Sequence, residues 1–168
     1  VCGTLDEALQ CEAEVTLKGQ RIDLLPTQAR KVGILFQEDL LFAHMSVRES
    51  LLFAVPAGPQ SAREAAVLAA LADVEMGAFL HANPATLSGG QRARVALMRT
   101  LLAEPAAILL DEPFSKLDRD LRAAIRAFTF EHVRTRMIPV ILVSHDREDA
   151  PPGGRIFEIA AGGELRHV

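Results

Sequence analysis

The chain has no tryptophan, no tyrosine and only two cysteines, Cys2 and Cys11, in 168 residues. The cysteines form no Cys-x-x-Cys pair, so they read as reduced thiols with no metal or redox role. A chain of this length can bury about 70% of its unfolded surface and needs no disulfide or metal staple. Basic excess is also missing: the formal net charge is −4, which gives no footprint for nucleic acid and no polybasic membrane patch. No apolar run reaches the 18 or so residues of a membrane helix. No signal peptide, internal repeat, low-complexity tract or heptad run is visible. The first residue is Val1, not Met.

What is present is an ordinary soluble mixture, 49% hydrophobic and 24% charged, sized for one domain. Short segments rich in β-branched residues read as strands over 14–17, 32–36, 107–110, 140–144 and 155–159. The segments at 32–36, 107–110 and 140–143 are apolar almost throughout, the pattern of parallel strands buried on both faces. Helical stretches intervene, so the class reads as α/β with crossover connections. Between 46 and 104 no convincing strand occurs. Ser46 with Glu49, Ser61 with Glu64 and Ser88 with Gln91 each read as a capping box opening a helix. The chain therefore divides into an α/β core over 1–45 and 105–168 and an inserted helical subdomain over 46–104. An amphipathic helix is expected over 117–137, and a hairpin over 154–168 turning at Gly162-Gly163.

Open α/β sheets bind ligands beyond the carboxyl ends of their strands. The segment 32–36 is followed by Gln37, 107–110 by Asp111-Glu112-Pro113, and 140–144 by His145-Asp146. If these strands are parallel, an amide, two carboxylates and an imidazole converge on one edge. Such a set suits metal-assisted attack of water on a phosphate: one carboxylate holds Mg²⁺, another accepts the water's proton, and amide and imidazole orient the oxygens. Taken singly, each has a plainer reading: Gln37 as a turn residue, Asp111-Glu112-Pro113 as a strand end with a helix cap, His145 as a structural histidine. Likewise, Ser88-Gly89-Gly90-Gln91 is a capped helix start whose free amides and missing Cβ atoms admit an anion, or a capped helix with no ligand.

The surrounding string favours the functional reading. Leu87-Ser88-Gly89-Gly90-Gln91, followed after about twenty residues by Ile108-Leu109-Leu110-Asp111-Glu112-Pro113, resembles the signature and Walker B pair of ABC ATPases. Ser115-Lys116-Leu117-Asp118 resembles the D-loop, Gln37 the Q-loop glutamine and His145 the switch histidine, in the family's order. The resemblance implies a P-loop NTPase-like, mostly parallel core with an inserted helical subdomain, and ATP and Mg²⁺ as cofactors. It implies that Gln37 contacts Mg²⁺ and the attacking water, that Asp111 holds Mg²⁺, that Glu112 is the general base and that His145 contacts the γ-phosphate. Ser88, Gly89, Gly90 and Gln91 would grip ATP bound to a second nucleotide-binding domain, and Asp118 would couple the two sites. With only 50 residues between Gln37 and Ser88, the coiled-coil DNA-repair class is excluded.

The stretch from Phe36 to Val47 resembles the Q-loop region of bacterial importer subunits, which docks transmembrane permease subunits. Leu40, Leu41, Phe42 and Met45 give such a groove a physical basis, with core packing as the alternative for Leu40 and Leu41. The implied location is peripheral, on the cytoplasmic face of the membrane, with no nucleic-acid partner.

The chain departs from the family in three places. Lys116 stands where a small D-loop residue is usual, 149–154 is helix-breaking where importers often have a helix, and no Gly-Lys-Ser/Thr phosphate loop occurs. Lys18-Gly19-Gln20, the nearest string, reads as a turn between strands. Residues 1–10 would match the end of the helix that follows the phosphate loop. Two explanations stand: a fragment of an ATP-hydrolysing transporter subunit, itself inactive and weakly stable, or a degenerate, non-catalytic subunit contributing only the signature face to a partner.

Overall fold

The computed structural model describes residues 13–160 and 163–168; Cys2, Cys11, the 1–10 segment and Gly162 lie outside them. Three strands, β3 (Val32–Leu35), β4 (Ala107–Asp111) and β5 (Val140–Val143), form a parallel sheet in the order β3-β4-β5. The register sets Leu35 opposite Leu110 and Asp111 opposite Val143. All three carboxyl ends therefore open on one edge.

Between β3 and β4 the chain forms α1 (Val47–Ala54), α2 (Gln60–Asp73) and α3 (Gly89–Leu102), with no strand among them. The Ser46–Glu49 and Ser88–Gln91 boxes form as expected. The Ser61–Glu64 box does not. Pro59 stands at the N-cap with no side-chain bond, because Glu64 faces α1 instead and accepts from the Arg48 guanidinium at 3.0 Å. An interhelical charge-assisted bond has displaced a local cap. The helices share one apolar cluster with the sheet: Val47, Leu51, Val67, Leu71, Val95 and Leu97 pack in the same core as Leu35, Ile108, Leu110 and Phe114. The helix α4 (Arg119–Thr135) follows β4 and contributes Ile125 and Val133 to that core.

Burial of the strands is uneven. Ile108 and Leu110 of β4 are inaccessible, whereas Ile141 and Val143 of β5 are 59% and 54% exposed. The expectation of burial on both faces is met on one face of β4, that of Ile108 and Leu110, and only partly on the other, where Ala107 and Leu109 are half-buried. It fails for β5, an edge strand of this sheet among the described residues.

Two hairpins stand apart from the main sheet. The first is shorter than the expected 14–17 strand: β1 (Thr16–Leu17) pairs with β2 (Gln20–Arg21) around Lys18 and Gly19, both at positive φ (50° and 81°). A two-residue turn of this hand matches strand twist and favours glycine. The second joins β6 (Phe157–Ile159) to β7 (Leu165–His167), so the 155–159 segment pairs antiparallel with the chain end.

Candidate functional site

The parallel register brings Glu112 and His145 into contact. Glu112 stands one residue past β4 and its amide donates to the Val143 carbonyl at 2.9 Å, prolonging the ladder. Its φ of 48° is unusual for a non-glycine residue and turns the chain sharply off the sheet. One carboxylate oxygen, Oε1, accepts from the His145 amide at 2.9 Å and from His145 Nδ1 at 2.7 Å. The other, Oε2, is buried and has no protein partner. A buried carboxylate oxygen ordinarily has a hydrogen-bond partner, so Oε2 is left with accepting capacity for a water, ion or ligand. His145 is otherwise open, its side chain 75% exposed. The hydrogen bond to Glu112, reinforced by that carboxylate's charge, raises the imidazole pKa above its ordinary value.

Two other residues singled out from sequence, Asp111 and Gln37, lie at the same sheet edge. Asp111 ends β4 with an exposed side chain, in register with Val143. Gln37 follows β3 and lines a narrow cleft with Leu35, Asp39, Ala93, Glu112 and Lys116. Among the described residues no three acidic, His or Cys side chains are preassembled around a metal ion. Mg²⁺ is held by one or two carboxylates together with substrate phosphates and water, and the hard oxygen donors of Asp111 and Gln37 fit it in kind.

At the start of α3, Ser88 Oγ accepts from the Gln91 amide at 3.3 Å and Gln91 Oε1 accepts from the Ser88 amide at 2.8 Å. The two glycines differ. A Cβ on Gly89 would meet only the tip of Arg92, 4.0 Å away, whereas one on Gly90 would come within 3.0 Å of the Lys116 carbonyl. Gly89 keeps the helix end open, and Gly90 lets the helix touch the 112–118 turn. Asp118 caps α4, accepting from the Leu121 amide at 3.1 Å.

Sequence reading missed the side chains that tie these segments together. Asp39, two residues past Gln37, pairs with Arg92 of α3 at 3.2 Å and with Lys116 at 3.3 Å. Arg99 donates to the Leu40 carbonyl at 2.9 Å and lies over the Phe42 ring. Asp149 is fully buried against Arg122. No local pattern announces such pairs, whose partners are 27 to 77 positions apart; an acidic residue in an otherwise helix-breaking stretch is the only signal Asp149 leaves.

Known proteins share the fold and much of the sequence. Residues 4–115 match the family model described as ABC transporter. The chain is 50% identical over 163 residues to YnjD, an uncharacterized ABC transporter ATP-binding protein of Escherichia coli (strain K12), covering 96% of this chain and 75% of that one. It is 42% identical over 139 residues to the spermidine/putrescine import ATP-binding protein PotA of Nitratidesulfovibrio vulgaris, spanning only 38% of that relative. The ATP-binding cassette MJ0796, solved as a dimer in a post-hydrolysis state with ADP and Pi, superposes with a TM-score of 0.72 at 28% identity, covering 83% of this chain and 65% of that one. Family match and identity agree with the parallel sheet edge, and the chain belongs to the family of ABC transporter ATP-binding proteins.

Proposed function

We propose that this chain serves in the ATP-binding and ATP-hydrolysing subunit of an ABC transporter that powers solute transport across a membrane, and that Glu112 is its general base. The observation that carries the reading is the Glu112–His145 pair. One carboxylate oxygen is fixed by His145, while the buried second oxygen is free to accept a proton from water. In this reading Glu112 takes the proton of the attacking water, His145, in the protonated form that its raised pKa favours, donates from Nε2 to a phosphate oxygen, and Gln37 orients the water. Asp111 and Gln37 would hold Mg²⁺, whose contribution when bound is to neutralise charge on the phosphate oxygens. Ser88, Gly89, Gly90 and Gln91 present a helix N-terminus to ATP on a second nucleotide-binding domain, with Asp118 at the interface. The known dimeric state of the MJ0796 cassette supports that partner.

The exposed Leu40, Phe42 and Phe53, with the His44 ring tilted against Phe42 at 5.8 Å, form an apolar surface suited to transmembrane permease subunits. The place proposed for this chain is peripheral, on the cytoplasmic face of the membrane; among the described residues no helix is long and apolar enough to cross one. Residues 46–104 are the helical lobe of this reading, and 1–45 with 105–168 its α/β core. Importer names among the relatives support the transport role. Hydrolysis is proposed for the protein together with a Gly-Lys-Ser/Thr phosphate loop, which these 168 residues do not contain. In the full-length gene product, Glu112→Gln should retain MgATP binding and lose at least 100-fold in turnover, at the low end of general-base contributions. Turnover near wild type refutes the assignment.

A further inference from the structure

Beyond the strand β5 the chain runs through Ser144, His145 and Asp146 into a single 3₁₀ turn, Arg147–Asp149. This turn ends in a carboxylate with no solvent exposure. Asp149 accepts from Arg122 Nε at 3.0 Å, from Arg122 Nη2 at 2.5 Å and from Ser144 Oγ at 2.7 Å, with Arg126 Nη1 at 3.5 Å. Burial alone would raise the Asp149 carboxyl pKa, but the Arg122 and Ser144 hydrogen bonds outweigh it and hold the group ionised. Arg122 also reaches Asp146 Oδ2 at 3.1 Å, and the Asp146 amide donates to Ser144 Oγ at 3.1 Å.

The two residues flanking His145 are therefore both tied into one cluster, while among the described residues the imidazole has Glu112 as its one hydrogen-bond partner. Arg122 lies in the first turn of α4, whose cap, Asp118, directly follows the turn that starts at Glu112. The cluster thus spans the two segments whose relative position sets the Glu112–His145 contact. A buried ion pair is a poor device for stability, since desolvation offsets most of its Coulombic gain. Its geometry suits fixing one backbone arrangement.

We infer that Asp149, Arg122 and Ser144 are positioning residues that hold the His145 segment against Glu112 in the hydrolysis step. The inference rests on the catalytic reading above and reaches residues that reading does not use. They touch no substrate and act through His145, so their loss lowers turnover more than nucleotide affinity.

The test uses Asp149→Asn, Ser144→Ala and Ser144→Thr in the full-length gene product, with steady-state ATPase kinetics and amide hydrogen exchange on each. Asp149→Asn and Ser144→Ala are expected to lower kcat at least 10-fold with KM for MgATP within about 2-fold, while Ser144→Thr, which keeps the hydroxyl, restores most of kcat. In the same two variants the amides of His145 and Asp146 should exchange at least 10-fold faster, with those of β4 unchanged. If Asp149→Asn does not fold, Ser144→Ala and Ser144→Thr decide. Wild-type kcat in a folded Ser144→Ala variant, a loss confined to KM, or a uniform rise in exchange across the sheet overturns the inference. Wild-type protein that hydrolyses no ATP refutes the catalytic reading, and the exchange measurement still decides whether the cluster holds His145.

Discussion

Ser88 carries two claims at once, a helix cap seen in the structure and a phosphate contact that is proposed, and substitution can separate them. Ser88→Ala removes the acceptor for the Gln91 amide. Loss of an N-cap costs about 1 kcal/mol, with a range of about 0.5–2, and for a chain of this size lowers Tm by about 2–4 °C per kcal/mol. The cost is felt globally because α3 buries Ala93, Val95, Ala96, Leu97, Met98, Thr100 and Leu101. Ser88→Asp behaves differently. Aspartate caps as well as serine, and its charge at a helix N-terminus is worth roughly 0.3–1 kcal/mol of added stability. If a partner's γ-phosphate sits at this helix end, however, the same charge opposes it, at several kcal/mol for like charges in contact. Each 1.4 kcal/mol is about tenfold in affinity, so ATPase activity and nucleotide-dependent dimerisation should fall by at least about 100-fold. The measurements are a urea midpoint for both variants, and ATPase rate and sedimentation with MgATP for the full-length protein. Wild-type activity in Ser88→Asp would reduce Ser88 to a cap and refute its phosphate role.

Other perturbations follow from single contacts. Phe114 is inaccessible and meets Phe130 edge-on at 6.2 Å; Phe114→Ala should cost about 3–5 kcal/mol, read from the urea midpoint, and a cost under 1 kcal/mol would show that the 112–118 turn repacks. The raised pKa of His145 makes a signed prediction. Its contribution to stability is fully present below about pH 6.5, the unfolded value, and is lost as pH rises through the higher folded value; Glu112→Gln should flatten that part of the stability profile, and an unchanged profile would place the dependence elsewhere. Gly90→Ala should separate α3 from the Lys116 carbonyl. It should lower ATPase activity at least tenfold, while Gly89→Ala, which meets open space, changes stability by no more than a few tenths of a kcal/mol.

The parts of this molecule legible in the sequence are those written in local pattern. The three apolar segments that became β3, β4 and β5 stand out by their composition alone, and the caps at Ser46 and Ser88 need only their own neighbours to form. The convergence of Gln37, Glu112 and His145 on one edge was legible too, because parallel strands leave little freedom over where their carboxyl ends point. What was not legible depends on partners distant in sequence. Ser61 had the spacing of a capping box, but Glu64 found Arg48 on a neighbouring helix. The 140–143 segment had the composition of a central strand, but its exposure depends on how many strands flank it, which composition does not encode. The D-loop lysine looked like a departure from pattern, and in the folded chain Lys116 is one of the two cations on Asp39.

That last pairing joins three segments that are far apart in the chain. Asp39 is nearly enclosed, its side chain 11% exposed, and it faces Arg92 from the helix that begins at Ser88 and Lys116 from the turn that begins at Glu112. A carboxylate placed there costs desolvation that a single partner would offset poorly, so two cations converge on it. Moving any one of the three segments away breaks at least one of these ion pairs. A small residue at 116 would leave Arg92 alone to hold Asp39, and the connection between the 36–42 segment and the 112–118 turn would fall to van der Waals contact. In this chain the Gln37 segment is therefore tethered electrostatically to both of the segments with which it is proposed to work.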